Sequence, residues 1–278
     1  MNKNAPILIA CEESGIVTEA FIANGFTNVF SCDIIKTSGR YPDRHIIGNV
    51  LHILDGKCNF STSDGISHKI TTEFSLIIAF PPCTYLCSSG MHWTTRGLRD
   101  SQLTIDAIHF VKKIWEAECK RIVIENPIGI LSKEIRKPDQ IIQPWMFGED
   151  ASKQTCLWIK GLPKLIPTKI IPPKEFSNVV FADDLPLCEL CEEPFCVEHG
   201  LHYQDCECIG PTQDGFVYRE KNGVLFAQEE RKNTSKLVWG NQTPSGQNKL
   251  GPSPNRAKIR SRTYLGIAKA FATQWTKE

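Results

Sequence analysis

The chain reads as an α/β protein on a doubly wound sheet, and three stretches predict it. Residues 7–10, 76–80 and 121–126 are short apolar runs of the kind buried on both faces, as parallel strands are. Each ends in residues that stop a strand and carry chemistry: Cys11-Glu12-Glu13-Ser14-Gly15, Pro81-Pro82-Cys83 and Glu125-Asn126-Pro127. Helical apolar patterns lie between them, so strands and crossover helices alternate.

Taken in order, strand 7–10 enters the turn 11–15, and a helix over 16–24 follows until Gly25 ends it. Strand, small-residue turn and helix open a nucleotide-type unit, in which the turn backbone and helix amino end approach a ligand. No G-x-G-x-x-G is present. Strand 28–32 leads to Asp33, and an acid after the second strand commonly takes ribose hydroxyls. Residues 45–50 make a third short strand with Asn49 near its end, and polar residues 55–73 read as a loop.

Strand 76–80 stops at Pro81, because proline cannot donate to a sheet ladder. Cys83 follows at once, past the carboxyl end of a buried strand, where open α/β sheets bind ligands. Leu103, Ala107, Phe110, Val111 and Ile114 predict a helix over 100–117 that crosses over to strand 121–126. Glu125 then ends on the same rim as Cys83. The pair suggests one chemistry: a thiolate adds to an electrophilic ring carbon, and the carboxyl group grips and protonates the ring nitrogen. Residues 128–143 read as a broken helix and loop, and 156–159 as a further strand. The proline-rich stretch 162–173 closes the block.

Of 12 cysteines, about half crowd into one later stretch. Cys188-x-x-Cys191, Cys196-x-x-His199 and Cys206-x-Cys208 read as structural zinc ligands, with His202 a seventh candidate for four places. A metal would fold a stretch with few apolar residues of its own. Residues 216–226 predict a hairpin turning at Asn222-Gly223. The amides, hydroxyls and bases of 239–262, including Lys249, Arg256, Lys258, Arg260 and Arg262, suit a nucleic-acid groove. Arg96 and Arg99, in a basic polar loop, are candidate phosphate contacts. Residues 263–275 predict a last amphipathic helix. A formal net charge of +1 excludes a global basic field. No apolar run is long enough to cross a membrane, and the first residues lack a secretory pattern. The expected segments are 1–175, a catalytic α/β domain; 176–238, a zinc-binding insertion with the hairpin; and 239–278, a nucleic-acid-contacting loop and terminal helix.

Pro81-Pro82-Cys83 with Glu125-Asn126 resembles the two catalytic signatures of the DNA cytosine carbon-5 methyltransferases. The stretches 10–15, 81–87, 124–127, 143–148, 153–163 and 260–264 are similar to small phage and prophage proteins of that kind. The resemblance implies a Rossmann-like methyltransferase sheet, S-adenosylmethionine as cofactor, double-stranded DNA as partner and a place in the cytoplasm of a bacterial host. It makes Cys83, Glu125 and Asn126 catalytic. It gives Ala10, Cys11, Glu12, Ser14, Gly15, Asp33, Asn49, Phe80 and Pro81 to the cofactor, with Asn49 standing where the family usually has an acid for the adenine amine. Residues 87–90 become the mobile loop over a flipped base, with Pro82 and Ser88 on the DNA side. Lys153 stands for one arginine of the family's Gln-x-Arg-x-Arg segment. Rival readings are another carbon-5 pyrimidine modification, with a different donor or a nucleotide substrate, and a non-catalytic zinc-containing DNA-binding protein. An amino-group methyltransferase is disfavoured, because Cys83 stands where that class has a stacking aromatic.

Overall fold

The structure is a computed structural model. It describes residues 1–176, 236–243, 248–253 and 256–277, together with the strand segments Val180–Phe181, Phe195–Cys196, Leu201–His202, Ile209–Gly210, Phe216–Lys221 and Val224–Glu229. Two compact units are present: residues 1–172 with 250–278, and residues 173–249.

The first unit runs β1 (Ile7–Ala10), α1 (Ile16–Ala23), β2 (Val29–Asp33), β3 (His45–Ile47), β4 (Asn59–Ser61), β5 (Ser67–Lys69) and β6 (Leu76–Ala79). Then come α2 (Ser88–Thr95), α3 (Gln102–Trp115), β7 (Ile122–Asn126), α4 (Leu131–Glu134), β8 (Gln140–Ile142) and β9 (Thr155–Lys160). Past the second unit lie α5 (Arg256–Ser261) and α6 (Leu265–Gln274). Seven strands form one sheet in the order β3-β2-β1-β6-β7-β9-β8. All pairs are parallel except β7 with β9 and β9 with β8. This is the expected doubly wound, Rossmann-like α/β plan, with one strand reversed near the far edge.

Strand alternation divides the core between the two faces of the sheet. Leu8 and Ala10 pack with Ile77, Ala79 and the buried face of α3, Ile108, Val111 and Ile114. Ile7 and Ile9 pack with Ile78, Val17 and Phe21 of α1, and Ile267 and Phe271 of α6. The apolar spacing of α3 therefore buries one helical stripe, as its sequence predicts. Helix α1 ends one residue short of the expected Asn24, which serves as its cap; Gly25 follows with φ 84°, a left-handed conformation that glycine adopts without strain. The chain ends meet: the Met1 ammonium donates to Thr276 O at 2.9 Å, and Asn24 Nδ2 donates to Ala272 O at 2.5 Å.

Four stretches differ from their sequence reading. The third strand stops at Ile47, because the Asn49 side chain accepts from Leu51 N at 3.0 Å and starts a 3-10 turn over Val50–His52. The expected loop 55–73 contains the β4–β5 hairpin. Ser88–Thr95 is helical rather than a loop. Residues 140–142 form an edge strand paired with β9.

In the second unit, Phe216–Lys221 pairs antiparallel with Val224–Glu229, as the hairpin expectation has it. Lys174–Phe176 pairs antiparallel with Lys236–Val238. Cys188, Cys191, His199, Cys206 and Cys208 lie outside the described residues; Cys196 is described only as part of a short strand. Among the described residues, no group of three or more His, Cys, Asp or Glu is placed to hold a metal, and no helix is long and apolar enough to cross a membrane.

Candidate active site

The sheet reverses its winding between β1 and β6, and ligands of such sheets bind outside the strand ends at this switch point. A cavity of about 350 Å³ opens there. Its wall includes Cys11 after β1, Cys32 and Asp33 at the end of β2, Asn49 after β3, and Pro81 and Pro82 after β6. Tyr85 and the α3 residues Leu103, Asp106 and Phe110 complete it. The volume lies within the roughly 300–1,000 Å³ usual for small-molecule sites.

The turn between β1 and α1 is shaped by backbone conformation. Cys11 has φ 59° and donates its N–H to Cys32 O at 2.7 Å. Gly15, at φ 69°, caps α1 and lies against Gly39, where an added Cβ would stand 2.8 Å from Ser14 O. Ser14 Oγ accepts from Ile16 N at 3.4 Å. Asp33 Oδ1 accepts from Ile35 N at 3.2 Å, and burial raises its carboxyl above the ordinary range. Burial, with the charge of Asp33 added, pushes the Cys32 thiol up to about 12 and raises Cys11 as well.

Glu12 does not line this cavity. Its carboxylate turns inward, is 4% exposed, and accepts from Val17 N at 2.6 Å, Thr18 N at 3.2 Å and Thr18 Oγ1 at 2.6 Å. It thus satisfies the orphan donors of the first turn of α1. Desolvation raises its pKa to about 7 against those hydrogen bonds. Ala10 is fully buried, and its carbonyl accepts from Phe80 N at 2.9 Å. Phe80 packs toward Phe271, with ring centroids 6.5 Å apart, on the α1–α6 face rather than on the cavity.

Cys83 and Glu125 come from adjacent parallel strands, with Ala79 of β6 level with Ile124 of β7. Burial raises the Cys83 thiol, the nearby Cys87 and Glu125 raise it further, and Lys153 opposes them. The Cys83 thiol is therefore within electrostatic reach of both the Glu125 carboxylate and the Lys153 ammonium. Thr155 Oγ1 donates to Glu125 Oε1 in a short hydrogen bond. Lys153, Thr155 and Glu125 line a second, narrow cleft together with Thr263 and Tyr264. Asn126 is 1% exposed; its Nδ2 donates to Pro81 O at 2.8 Å, and its Oδ1 is buried without a hydrogen-bond partner. This bond ties the Cys83 segment to the strand that carries Glu125.

The candidate DNA residues divide into two groups. Arg99 is engaged internally, donating to Thr84 O at 3.1 Å and Gly90 O at 3.4 Å and lying 5.0 Å from the Tyr85 ring. Ser88 Oγ donates to Ile128 O at 3.1 Å. Both therefore brace the Cys83 segment. Arg96, Arg260 and Arg262 are exposed, and Lys249 is exposed within the second unit. Lys258 pairs with Glu13 at 2.9 Å and so ties α5 to the turn between β1 and α1. Pro82, next to Cys83 in the chain, is part of the cavity wall.

Thr155 and Tyr85 were not singled out from the sequence. The signal for Thr155 was its position two residues beyond Lys153, which sets both on one side of an extended segment. No family model matches the chain, and no curated protein matches it. Among solved structures, one similar chain is described as a candidate DNA modification methyltransferase encoded within an E. coli prophage. It is 13% identical, the match covers 62% of this chain, and the TM-score is 0.34. The chain spans about half, 53%, of the length of that structure.

Proposed function

We propose that this protein is an S-adenosylmethionine-dependent DNA (cytosine-5) methyltransferase. The observation that carries the reading is the meeting of Cys83 and Glu125 on neighbouring strand ends, next to a cavity of about 350 Å³ that Pro81 and Pro82 help line. The cavity residues fit the cofactor: Asp33 offers a carboxylate to a ribose diol, Asn49 an amide to a base edge, and Leu103 and Phe110 apolar walls to a ring. When bound, S-adenosylmethionine supplies an electrophilic methyl group.

The target cytosine leaves the duplex stack, since its ring cannot be attacked within it. Cys83, as thiolate, adds to ring carbon 6. Glu125 holds N3 and the amine and gives N3 a proton, so the electron density reaches carbon 5, which takes the methyl. Loss of the carbon-5 proton to solvent and departure of the thiolate, with N3 returning its proton to Glu125, restore the ring. Thr155 orients the Glu125 carboxyl, and Asn126 fixes the Cys83 segment. Burial, with Cys87 and Glu125 nearby, raises the Cys83 thiol, and Lys153 opposes them by favouring the thiolate. A structural zinc in residues 188–208 and DNA contacts from 239–262 belong to the same proposal.

Covalent trapping on duplex DNA containing 5-fluorocytosine, with S-adenosylmethionine present, tests it. Fluorine does not leave as a cation, so a denaturant-resistant adduct mapped to Cys83 is expected. Cys83→Ala should bind the same DNA and form none. An adduct on another residue, or none on DNA that binds, refutes the mechanism.

A further inference from the structure

Helix α2 begins at Ser88, shortly after Cys83, and no residue in it is buried. Its mounting is nonetheless firm. At its start, Ser88 N and Oγ both donate to Ile128 O at 3.1 Å, and Cys87 bridges Gly129. Below it, Arg99 holds the carbonyls of Thr84 and Gly90. One side leans on α3, through Thr94 Oγ1 and Thr104 Oγ1 at 3.4 Å and Thr104 Oγ1 and Met91 Sδ at 3.9 Å. The other side presents Trp93, 51% exposed, with Leu98, 66% exposed, just beyond the helix.

The Trp93 ring meets only the edge of His92, at 6.2 Å between centroids, among the ring contacts described for it. An indole held out on a braced helix is poorly placed for a core and well placed for a ligand with flat faces. Charge indicates which ligand. From Pro81 to Arg99 the chain has no carboxylate, and Arg96, the residue that caps α2, holds an exposed cation. Cationic surroundings and an exposed aromatic are the two parts of a stacking platform for nucleic-acid bases. Apolar side chains also enter duplexes as wedges between base pairs.

We propose that Trp93 is a wedge that stacks into duplex DNA beside the place vacated by the extruded target base, with Arg96 on the neighbouring phosphate. This rests on the proposed DNA-modifying reading and adds a residue that stabilises the open duplex. The wedge fills the gap, so its contribution is largest where the target base is paired and hardest to extrude, and smallest where it is mismatched.

The test uses the full chain and mixed-sequence duplexes carrying 5-fluorocytosine, either paired with guanine or mismatched. Wild type, Trp93→Ala and Trp93→Phe are compared for DNA affinity and rate of adduct formation. Trp93→Ala should lose about five- to a hundredfold on paired duplex, recover most of that loss on mismatched duplex, and be largely restored by Trp93→Phe. Equal behaviour of Trp93→Ala and wild type, or an equal loss on both duplexes, overturns the wedge while leaving the reaction intact. Absence of any adduct with wild type on either duplex overturns the underlying reading instead.

Discussion

Replacing Asn126 probes how Cys83, the proposed nucleophile, is held. The Nδ2–Pro81 O bond, 2.8 Å long and fully enclosed, links the strand of Glu125 to the segment of Cys83. Asn126→Ala strands the Pro81 carbonyl, a loss of about 1–3 kcal/mol. Part of this is offset because the buried Oδ1, which has no partner, is removed too. A net loss of about 1–2 kcal/mol lowers the melting temperature by roughly 2–8 °C for a domain near this size. Asn126→Asp keeps the shape but sets an acceptor against the Pro81 acceptor and buries a charge, so it should be worse than alanine at neutral pH, by up to about 3–5 kcal/mol. Its carboxyl would be raised by burial, and the protonated form can donate to Pro81 O. Stability of Asn126→Asp should therefore be present at low pH and be lost as pH rises through the folded pKa. Thermal unfolding across pH, paired with the 5-fluorocytosine adduct rate, reads both effects. A displacement of Cys83 near 1 Å would slow the adduct about a hundredfold. If Asp is tolerated better than Ala at neutral pH, or if neither changes stability or rate, the link does not hold Cys83 as argued.

Other outcomes follow from single features. An added Cβ at Gly129 would stand 2.0 Å from Leu86 O, so Gly129→Ala should cost about 1–3 kcal/mol and slow the adduct; unchanged melting would count against the close approach. Protonated Glu12 stabilises the fold, because its folded pKa near 7 exceeds the ordinary 4.5. That contribution, at most about 3 kcal/mol, is full below pH 4.5 and lost as pH rises toward 7. Denaturant titrations of wild type minus Glu12→Gln should show this fall, and a flat difference would refute it. Cys11 and Cys32 line the cavity with raised thiols. Their alkylation by N-ethylmaleimide should be slow at neutral pH, quicken in alkali, and be blocked by S-adenosylhomocysteine; unprotected labelling would exclude a cofactor there. Elemental analysis should find zinc bound to the native chain and lost on Cys188→Ser with Cys191→Ser, and metal-free protein would remove zinc from the account.

The sheet was legible because its central strands are apolar on both faces: residues 7–10 and 76–79 have no exposed member. Proline after β6 and the acid after β2 marked the strand ends. The β4–β5 hairpin was not legible, since its strands expose both end residues and show no apolar alternation. Ser-Ser-Gly-Met-His-Trp-Thr-Thr has no apolar stripe and weak helix formers, so α2 owes its helix to anchors elsewhere in the chain. That Asp33 and Glu125 fall at strand ends, and Cys83 just beyond one, could be read from position alone. The inward turn of Glu12 could not, because a turn sequence does not state which way a carboxylate points. Thr155 was hidden by its distance of 30 residues from Glu125.

The seam between α1 and α6 also sets a timetable. Ile9, Val17 and Phe21 are made within the first two dozen residues, yet Ile267, Phe271 and Trp275 are needed to cover them. A ribosome adding about 5–20 residues per second leaves that face open for roughly 10–50 seconds. During that time the whole second unit is synthesised before the closing helix emerges. Contacts of such sequence separation form slowly, so the nascent chain carries a sticky early face that needs shielding until the last helix arrives.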